Sequence, residues 1–468
     1  MIHVAWYDRL PNGLQNAVCS LAGWRVASGR RSREQSTVAR GAMERWKLDN
    51  VDLGAFRDAR LREFVAHAAR TVPYYQRLFA ALKLDPDAVT CLEDMQELPV
   101  LTPETVAKSP RDFVSRVASR ADFGRLGGQG TSGAWSLPLS RAAAWERDAI
   151  RVRFHHEHGI VEGTWCAYFG GTNVVPIAQS RAPYWRVDWP GRRVLFSPYH
   201  LSEQTVEAFV DALNDFQCPW IHGSPAVLST LAGLMAAARL SADYPVEWVT
   251  TDNALPLGFQ QRAIRRLFGI SPKRSYIDPH AVASITEHAD GALVIDEDYA
   301  AVELIAGDED GTYRVIGTNL SNVAAPLLRY DTGAVVRLAK TVPVAGAPRH
   351  VATWEGPLHS LITLPSGARI GRLERMFDDL PQVVAAQIFQ HADLTIDVDV
   401  RMAPGSTKVD AGAVSDRVAA RFGAATCRVN YTDRLTPVTG GKLQVIHSEA
   451  GGVNRTVVEP RARLVCIQ

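Results

Sequence analysis

Between residues 144 and 280, short apolar segments alternate with helical ones, and this alternation constrains the fold more than any other feature of the chain. Helix 144–158 leads into the strand Trp165-Cys166-Ala167-Tyr168-Phe169. The strand Arg193-Val194-Leu195-Phe196 leads into helix 203–216, and Pro219-Trp220-Ile221-His222 precedes helix 225–239. Val246-Glu247-Trp248-Val249-Thr250 precedes helix 257–268, which Gly269 closes. Strand, helix, strand, helix at this spacing predicts a parallel α/β sheet.

The flanking regions have a different pattern. Leu61, Phe64, Val65 and Ala68 recur at three- and four-residue steps, so residues 50–85 are predicted helical. Pro73 ends that helix or starts the next. From 293 to 337, three segments look like antiparallel strands: 301–305, 312–316 and 334–338. After a Pro- and Gly-containing stretch at 342–348, the last 110 or so residues are predicted to form a small α+β unit. It comprises strand 394–400, helix 411–422 and strand 427–431. The boundary is placed at Trp354-Glu355-Gly356, giving domains 1–353 and 354–468.

Several function classes are disfavoured. Lys plus Arg (51) nearly balances Asp plus Glu (50), so no global field favours nucleic acid or an anionic membrane. The run Arg30-Arg31-Ser32-Arg33 is expected to be a solvated surface. No apolar run approaches the ~18–20 residues of a membrane span. Six cysteines (19, 91, 166, 218, 427, 466) are scattered without a Cys-x-x-Cys pair, which predicts reduced thiols, no zinc site and a cytoplasmic location.

Five landmarks then occur in order: Val72-Pro73-Tyr74-Tyr75, Leu98-Pro99-Val100-Leu101-Thr102, Gly130-Thr131-Ser132-Gly133, Thr318–Asn322 followed by Pro326–Gly333, and Gly440-Gly441-Lys442. Together they resemble the phenylacetate–CoA ligase branch of the adenylate-forming enzymes, over nearly the whole chain. The resemblance implies a large N-terminal α/β domain with parallel sheets and a β-rich subdomain, and a small, mobile α+β C-terminal domain. It implies that ATP and a carboxylic acid give an acyl-adenylate, and that the acyl group passes to a thiol such as coenzyme A, to an amine, or to a carrier protein.

The resemblance also assigns roles. Thr131, Ser132 and Gly133 would open a phosphate loop, whose glycines let backbone N–H groups converge on an anion. Tyr276 would stack on adenine, and Asp331, beside Arg329, would accept both ribose hydroxyls, because a carboxylate offers acceptors only. Lys442 would meet the charge building on the acyl-phosphate oxygens. At predicted strand ends, Phe169, Gly170, His200, His222 and Gly223 lie on the sheet edge where α/β folds bind ligands. Each has a plainer reading: a surface turn, a β-turn Asp, a solvated lysine, core residues.

The chain also departs from the family pattern. Leu137 stands for a phosphate-loop lysine, with Trp135 where the triphosphate would lie. His280 stands for the glutamate that helps hold Mg²⁺, and neutral imidazole is a poor ligand for that ion. Pro357 stands for a hinge arginine, and Asp252-Asn253 replaces a Gly-Glu pair. His155-His156-Glu157-His158 is expected to be a helix end rather than a metal cluster. Three functions stay open: an ATP-dependent ligase, an ATP-independent acyltransferase using a ready-made acyl thioester with His280 as base, and a binding homologue without catalysis.

Overall fold

The computed structural model describes residues 4–30, 32–119, 128–129, 136–170, 174–176, 179–251, 256, 258–307, 310–339, 349–357, 362–364, 369–370, 380, 382–402, 405–422, 426–432 and 446–450. The chain divides into two compact units. One comprises Met1–Gly29, Ile160–Arg274 and Leu358–Gln468, the other Arg30–Gly159 and Ser275–Pro357.

The first unit contains the parallel sheet. Strands Arg193–Phe196, Cys166–Phe169, Trp220–Gly223 and Trp248–Thr251 lie side by side in that order, with Cys166 opposite Trp220 and Trp220 opposite Trp248. Three of the four residues in each strand are buried, including the polar His222, Thr250 and Thr251. Helices Val206–Phe216 and Pro225–Ala237 connect successive strands. Pro225 occupies the first turn of its helix, where its missing N–H costs nothing, and Ser224 caps Val227 N–H. The strand Trp185–Asp188, not predicted from the sequence, adds antiparallel to Arg193–Phe196.

Residues 383–448 of this unit build a separate four-stranded sheet. Its order is Cys427–Tyr431, Ile396–Met402, Val383–Gln390, Ile446–Ser448, with helix Ala411–Phe422 packed through Val414 and Val418 onto Ile388, Val398 and Val400. The helix and the 427–431 strand have the predicted bounds. The second unit ends at Pro357.

The second unit holds helices Arg33–Arg45, Asn50–Thr71, Pro73–Leu82 and Arg141–Glu157. Pro73 starts its helix. An antiparallel sheet runs in the order Ala300–Ala306, Thr312–Asn319, Tyr330–Leu338, His350–Pro357, Leu293–Ile295, Ser284–Glu287 and the end of Lys273–Ile277. Its apolar core joins Leu61, Phe64, Val65 and Tyr75 to Val282, Leu320 and Tyr330. Leu137 is buried in the same core. Beside it lies a buried ionic network. Arg153 donates to Asp296 (2.8 Å) and Asp298 (3.0 and 3.1 Å), and Arg45 bridges Asp298 and Glu146 at 2.8 Å each.

Candidate functional site

In the second unit, a turn and a strand end bring Tyr276, His280 and Asp331 into one cluster. The strand ending at Ile277 enters the turn Asp278-Pro279-His280-Ala281, closed by Ala281 N–H on Asp278 O at 3.0 Å. Ala281 lies at φ +61°, a conformation costly for any residue with a Cβ. The surroundings impose it: 281–283 are fully buried, and the backbone of Val282 lies where a Cβ on Gly317 would stand, 1.9 Å from its carbonyl oxygen.

Asp278 organises this turn. Its Oδ1 accepts His280 N–H at 2.7 Å and lies 3.4 Å from His280 Nδ1, while its Oδ2 accepts the Tyr276 hydroxyl at 3.2 Å. Burial and the charge of Asp278 hold the Tyr276 hydroxyl well above the usual tyrosine range, so it donates rather than ionises. The Tyr276 ring meets Trp354 at 4.5 Å, and the His280 ring meets Tyr330 at 5.3 Å. Tyr330 is likewise pushed up, by burial and then by Asp278 and Asp331.

Asp331 follows Tyr330 on the strand and is 5% exposed. Its Oδ1 accepts Gly333 N–H at 2.9 Å and its Oδ2 pairs with Arg314. A register shift between Arg314 and Ile316 interrupts the ladder beside this pair. Each carboxylate oxygen has two lone-pair sites, so one on each remains for a ligand hydroxyl. The preceding residue, Arg329, is committed elsewhere. Its guanidinium grips Glu303 (2.7, 2.8 and 3.1 Å) and the carbonyl of Leu98, and its backbone takes φ +51°. Arg329 therefore holds the turn that presents Asp331.

The first unit carries the other candidates. His222 is buried, with Nδ1 2.7 Å from Thr250 Oγ1, and its ring stacks on Tyr168 at 5.2 Å. Trp220 Nε1–H also reaches Thr250 Oγ1 at 2.7 Å. An indole N–H only donates, so it fills one lone pair of the hydroxyl. His200 lies in the Pro198–His200 turn, its Nδ1 2.8 Å from Ser197 Oγ and its ring stacked on Tyr184 at 5.2 Å. Phe169 is fully buried, stacked on Phe196 at 4.6 Å. Gly223 is obligatory: a Cβ there would lie 2.9 Å from Phe169 Cβ and O. A Cβ on Gly170 would strike the Tyr168 ring.

Thr131, Ser132, Gly133, Lys442 and the Asp252-Asn253 pair lie outside the described residues. The ladder Gly128–Gln129 against Ser136–Leu137 flanks the loop, and Asn322 fixes its exit. Asn322 accepts Ser140 N–H at 2.8 Å and donates to Pro138 O at 3.2 Å. The His155–His158 run caps a helix end, with His158 Nε2 2.9 Å from Glu287 O. Among the described residues no group of three or more His, Cys, Asp or Glu could hold a metal ion. Asp278, Arg314 and Trp354 were not singled out from sequence. Asp278 stands inside the Tyr276–His280 segment, but nothing in the sequence pairs Arg314 with Asp331 or Trp354 with Tyr276.

No protein-family model matches the sequence. Protein CapK of Staphylococcus aureus is 22% identical over 296 residues, covering 63% of this chain and 65% of that protein. The phenylacetate-coenzyme A ligase of Pseudomonas putida is 23% identical over 319 residues, covering 60% of this chain and 65% of that protein. The match thus spans just under two thirds of the length of each relative. In structure, the chain resembles 2-hydroxyisobutyryl-CoA ligase in the postadenylation state in complex with R3-HIB-AMP. The TM-score is 0.61 at 15% identity, covering 84% of this chain and 89% of that one. The same ligase with 2-HIB-AMP and CoA in the thioesterification state gives a TM-score of 0.51. The fold is that of the adenylate-forming ligases. Within that class, the sequence likeness includes the phenylacetate–CoA ligase branch.

Proposed function

We propose that the chain is an acyl-activating ligase: it joins a carboxylic acid to ATP as an acyl-adenylate, releases pyrophosphate, and passes the acyl group to a thiol or amine. The thiol is that of coenzyme A or of a carrier protein. The observation that carries this reading is Asp331, a buried carboxylate on a turn braced by Arg329 and Glu303, with acceptor sites left on both oxygens. In this role Asp331 takes the two ribose hydroxyls and Tyr276, beside Trp354, packs on the adenine. Lys442 supplies the cation for the acyl-phosphate oxygens, and Thr131, Ser132 and Gly133 the phosphate loop. His200 and His222, with Gly170 and Gly223, belong to the acyl side. The nucleotide brings the phosphoanhydride that activates the acid. The described residues do not fit a Mg²⁺ site: position 280 offers an imidazole, and that ion prefers oxygen. No step is assigned to the metal.

A specific observation favours a second reading. His280 Nδ1 lies 3.4 Å from Asp278 Oδ1, an orienting carboxylate behind a candidate base, and Leu137 is buried in apolar core rather than aimed at a phosphate. This arrangement suits transfer from a ready-made acyl thioester without ATP. The test runs both reactions on the intact chain: acid-dependent pyrophosphate release under single-turnover conditions, and acyl transfer from thioesters without ATP. Pyrophosphate release that requires an acid supports the ligase. Thioester transfer that needs no ATP and falls in His280→Ala, with no acid releasing pyrophosphate, would transfer the assignment to the second reading.

A further inference from the structure

The helix Asn12–Arg30 turns the wrong stripe outward. Its inward residues at four-residue spacing are Gln15, Cys19 and Gly23, all buried, with half-buried Val18 and Ala22 packed beside them on the cluster of Tyr7, Val174, Val175 and Leu195. Its outward residues at three- and four-residue spacing are Leu14, Ala17, Leu21 and Trp24, all exposed. An isolated surface helix does the reverse.

The orientation is fixed by polar contacts to the edge strand Trp185–Asp188. Asn16 Oδ1 accepts Val187 N–H at 3.1 Å, Ser20 Oγ donates to Val187 O at 3.2 Å, and Trp189 N–H reaches Ser20 Oγ at 3.3 Å. Gln15 Oε1 accepts from buried Arg186 at 2.6 Å. Gly23 admits Asp188 so closely that a Cβ would lie 1.8 Å from its Oδ1. Rolling the helix to hide its leucines would break all of these. Trp6, Leu14, Leu21, Trp24 and Trp189 of this unit are therefore left 44 to 62% exposed.

Charge decides what covers them. The helix has no acidic residue. Residues 4–29 of this unit hold Arg9 and Arg25 against the single acid Asp8. Arg9, Arg25 and Arg192 are exposed, and the Arg192 guanidinium lies 5.7 Å over the Trp165 ring, which meets Trp189 edge-on at 5.3 Å. Pairing two copies through this face would set arginines against arginines. An anionic lipid surface offers both an apolar layer and negative headgroups, and tryptophan suits that boundary. No helix among the described residues is long and apolar enough to cross a membrane, so this one would lie along the surface.

We infer that the Asn12–Arg30 helix and the Trp189 turn form a docking face for an anionic lipid bilayer. The test is co-sedimentation of the full chain with phosphatidylcholine vesicles, with and without phosphatidylglycerol. The wild type should partition at least about tenfold better onto the anionic vesicles, and salt should weaken it. Leu21→Glu with Trp24→Glu should cut that binding by about tenfold or more, with melting temperature unchanged because both side chains are exposed. Arg25→Glu, which leaves the apolar stripe intact, should weaken anionic binding alone. Absence of vesicle binding, or equal binding by wild type and double variant, overturns the inference. So does a concentration-dependent dimer that the double variant dissolves, which would assign the face to a second copy.

Discussion

The two units hold their candidate site residues by different physics. In the first, aromatic stacking and neutral hydrogen bonds do it: Phe169 on Phe196, His222 on Tyr168, His200 on Tyr184, Thr250 between Trp220 and His222. In the second, ion pairs do it: Arg329 with Glu303, Arg314 with Asp331, Arg153 with Asp296 and Asp298. The second unit is rich in charge, yet those charges are committed to one another.

The largest consequence concerns adenylation. If the resemblance to the ligase branch extends to these positions, Leu137, His280 and Pro357 stand in for charges that would meet the triphosphate and its metal. Losing one preorganised charged contact costs ~2.7–4 kcal/mol of transition-state stabilisation. Two or three losses, allowing for non-additivity, slow adenylate formation by ~10⁴-fold or more. Pyrophosphate exchange with simple aryl or fatty acids should therefore be close to background. Leu137→Lys should not restore it, because that side chain points into apolar core. Robust exchange by the wild type would show that other residues replace the missing charges.

Next come two variants that should separate the units. Phe169→Ala should destabilise the protein by ~3–5 kcal/mol through a cavity in the stack, with little pH dependence. Arg153→Met should cost ~3–5 kcal/mol by leaving buried carboxylates undercompensated, and this deficit should close in acid. Burial raises the Asp298 carboxyl, but Arg153 and Arg45 outweigh it and hold it below its usual value. A depressed folded value contributes stability that is fully present above the unfolded value of about 3.9 and is lost as pH falls through the lower folded one. Chemical denaturation at pH 7 and below 4 measures both. A gap for Arg153→Met that stays constant with pH would contradict the ionic account.

A smaller effect is expected at Thr250. Thr250→Val leaves the Trp220 N–H and His222 Nδ1 without that hydroxyl, costing ~1–3 kcal/mol for a buried unpaired group. An unaltered stability would place Thr250 outside the network.

The same contrast explains what the sequence disclosed. The parallel strands were legible because segments such as Cys166–Phe169 and Trp220–Gly223 are buried and nearly all apolar, and helix Ala411–Phe422 because its Val414 and Val418 pack inward. The Asn12–Arg30 helix was not, since Leu14, Leu21 and Trp24 face outward while its fully buried positions are Gln15, Cys19 and Gly23. Trp185–Asp188 escaped because its buried Arg186 is satisfied by neutral oxygens from Gln15, Asn12 and Gln179, a pattern with no local signature. Tyr276, His280 and Asp331 stood in recognisable segments. Arg314 and Trp354, which complete their surroundings, are brought there by strand pairing alone.

The central claim is that Asp331 marks a nucleotide site. Calorimetric titration of AMP and ATP, with and without Mg²⁺, into the wild type and Asp331→Ala tests it directly. A ribose hydroxyl bonded to a buried carboxylate is worth ~1.5–3 kcal/mol. Asp331→Ala should therefore weaken binding about ten- to a hundredfold while leaving the fold intact. Equal affinities for both proteins, or a wild type that binds neither nucleotide, would contradict the account and leave Asp331 as the partner of Arg314.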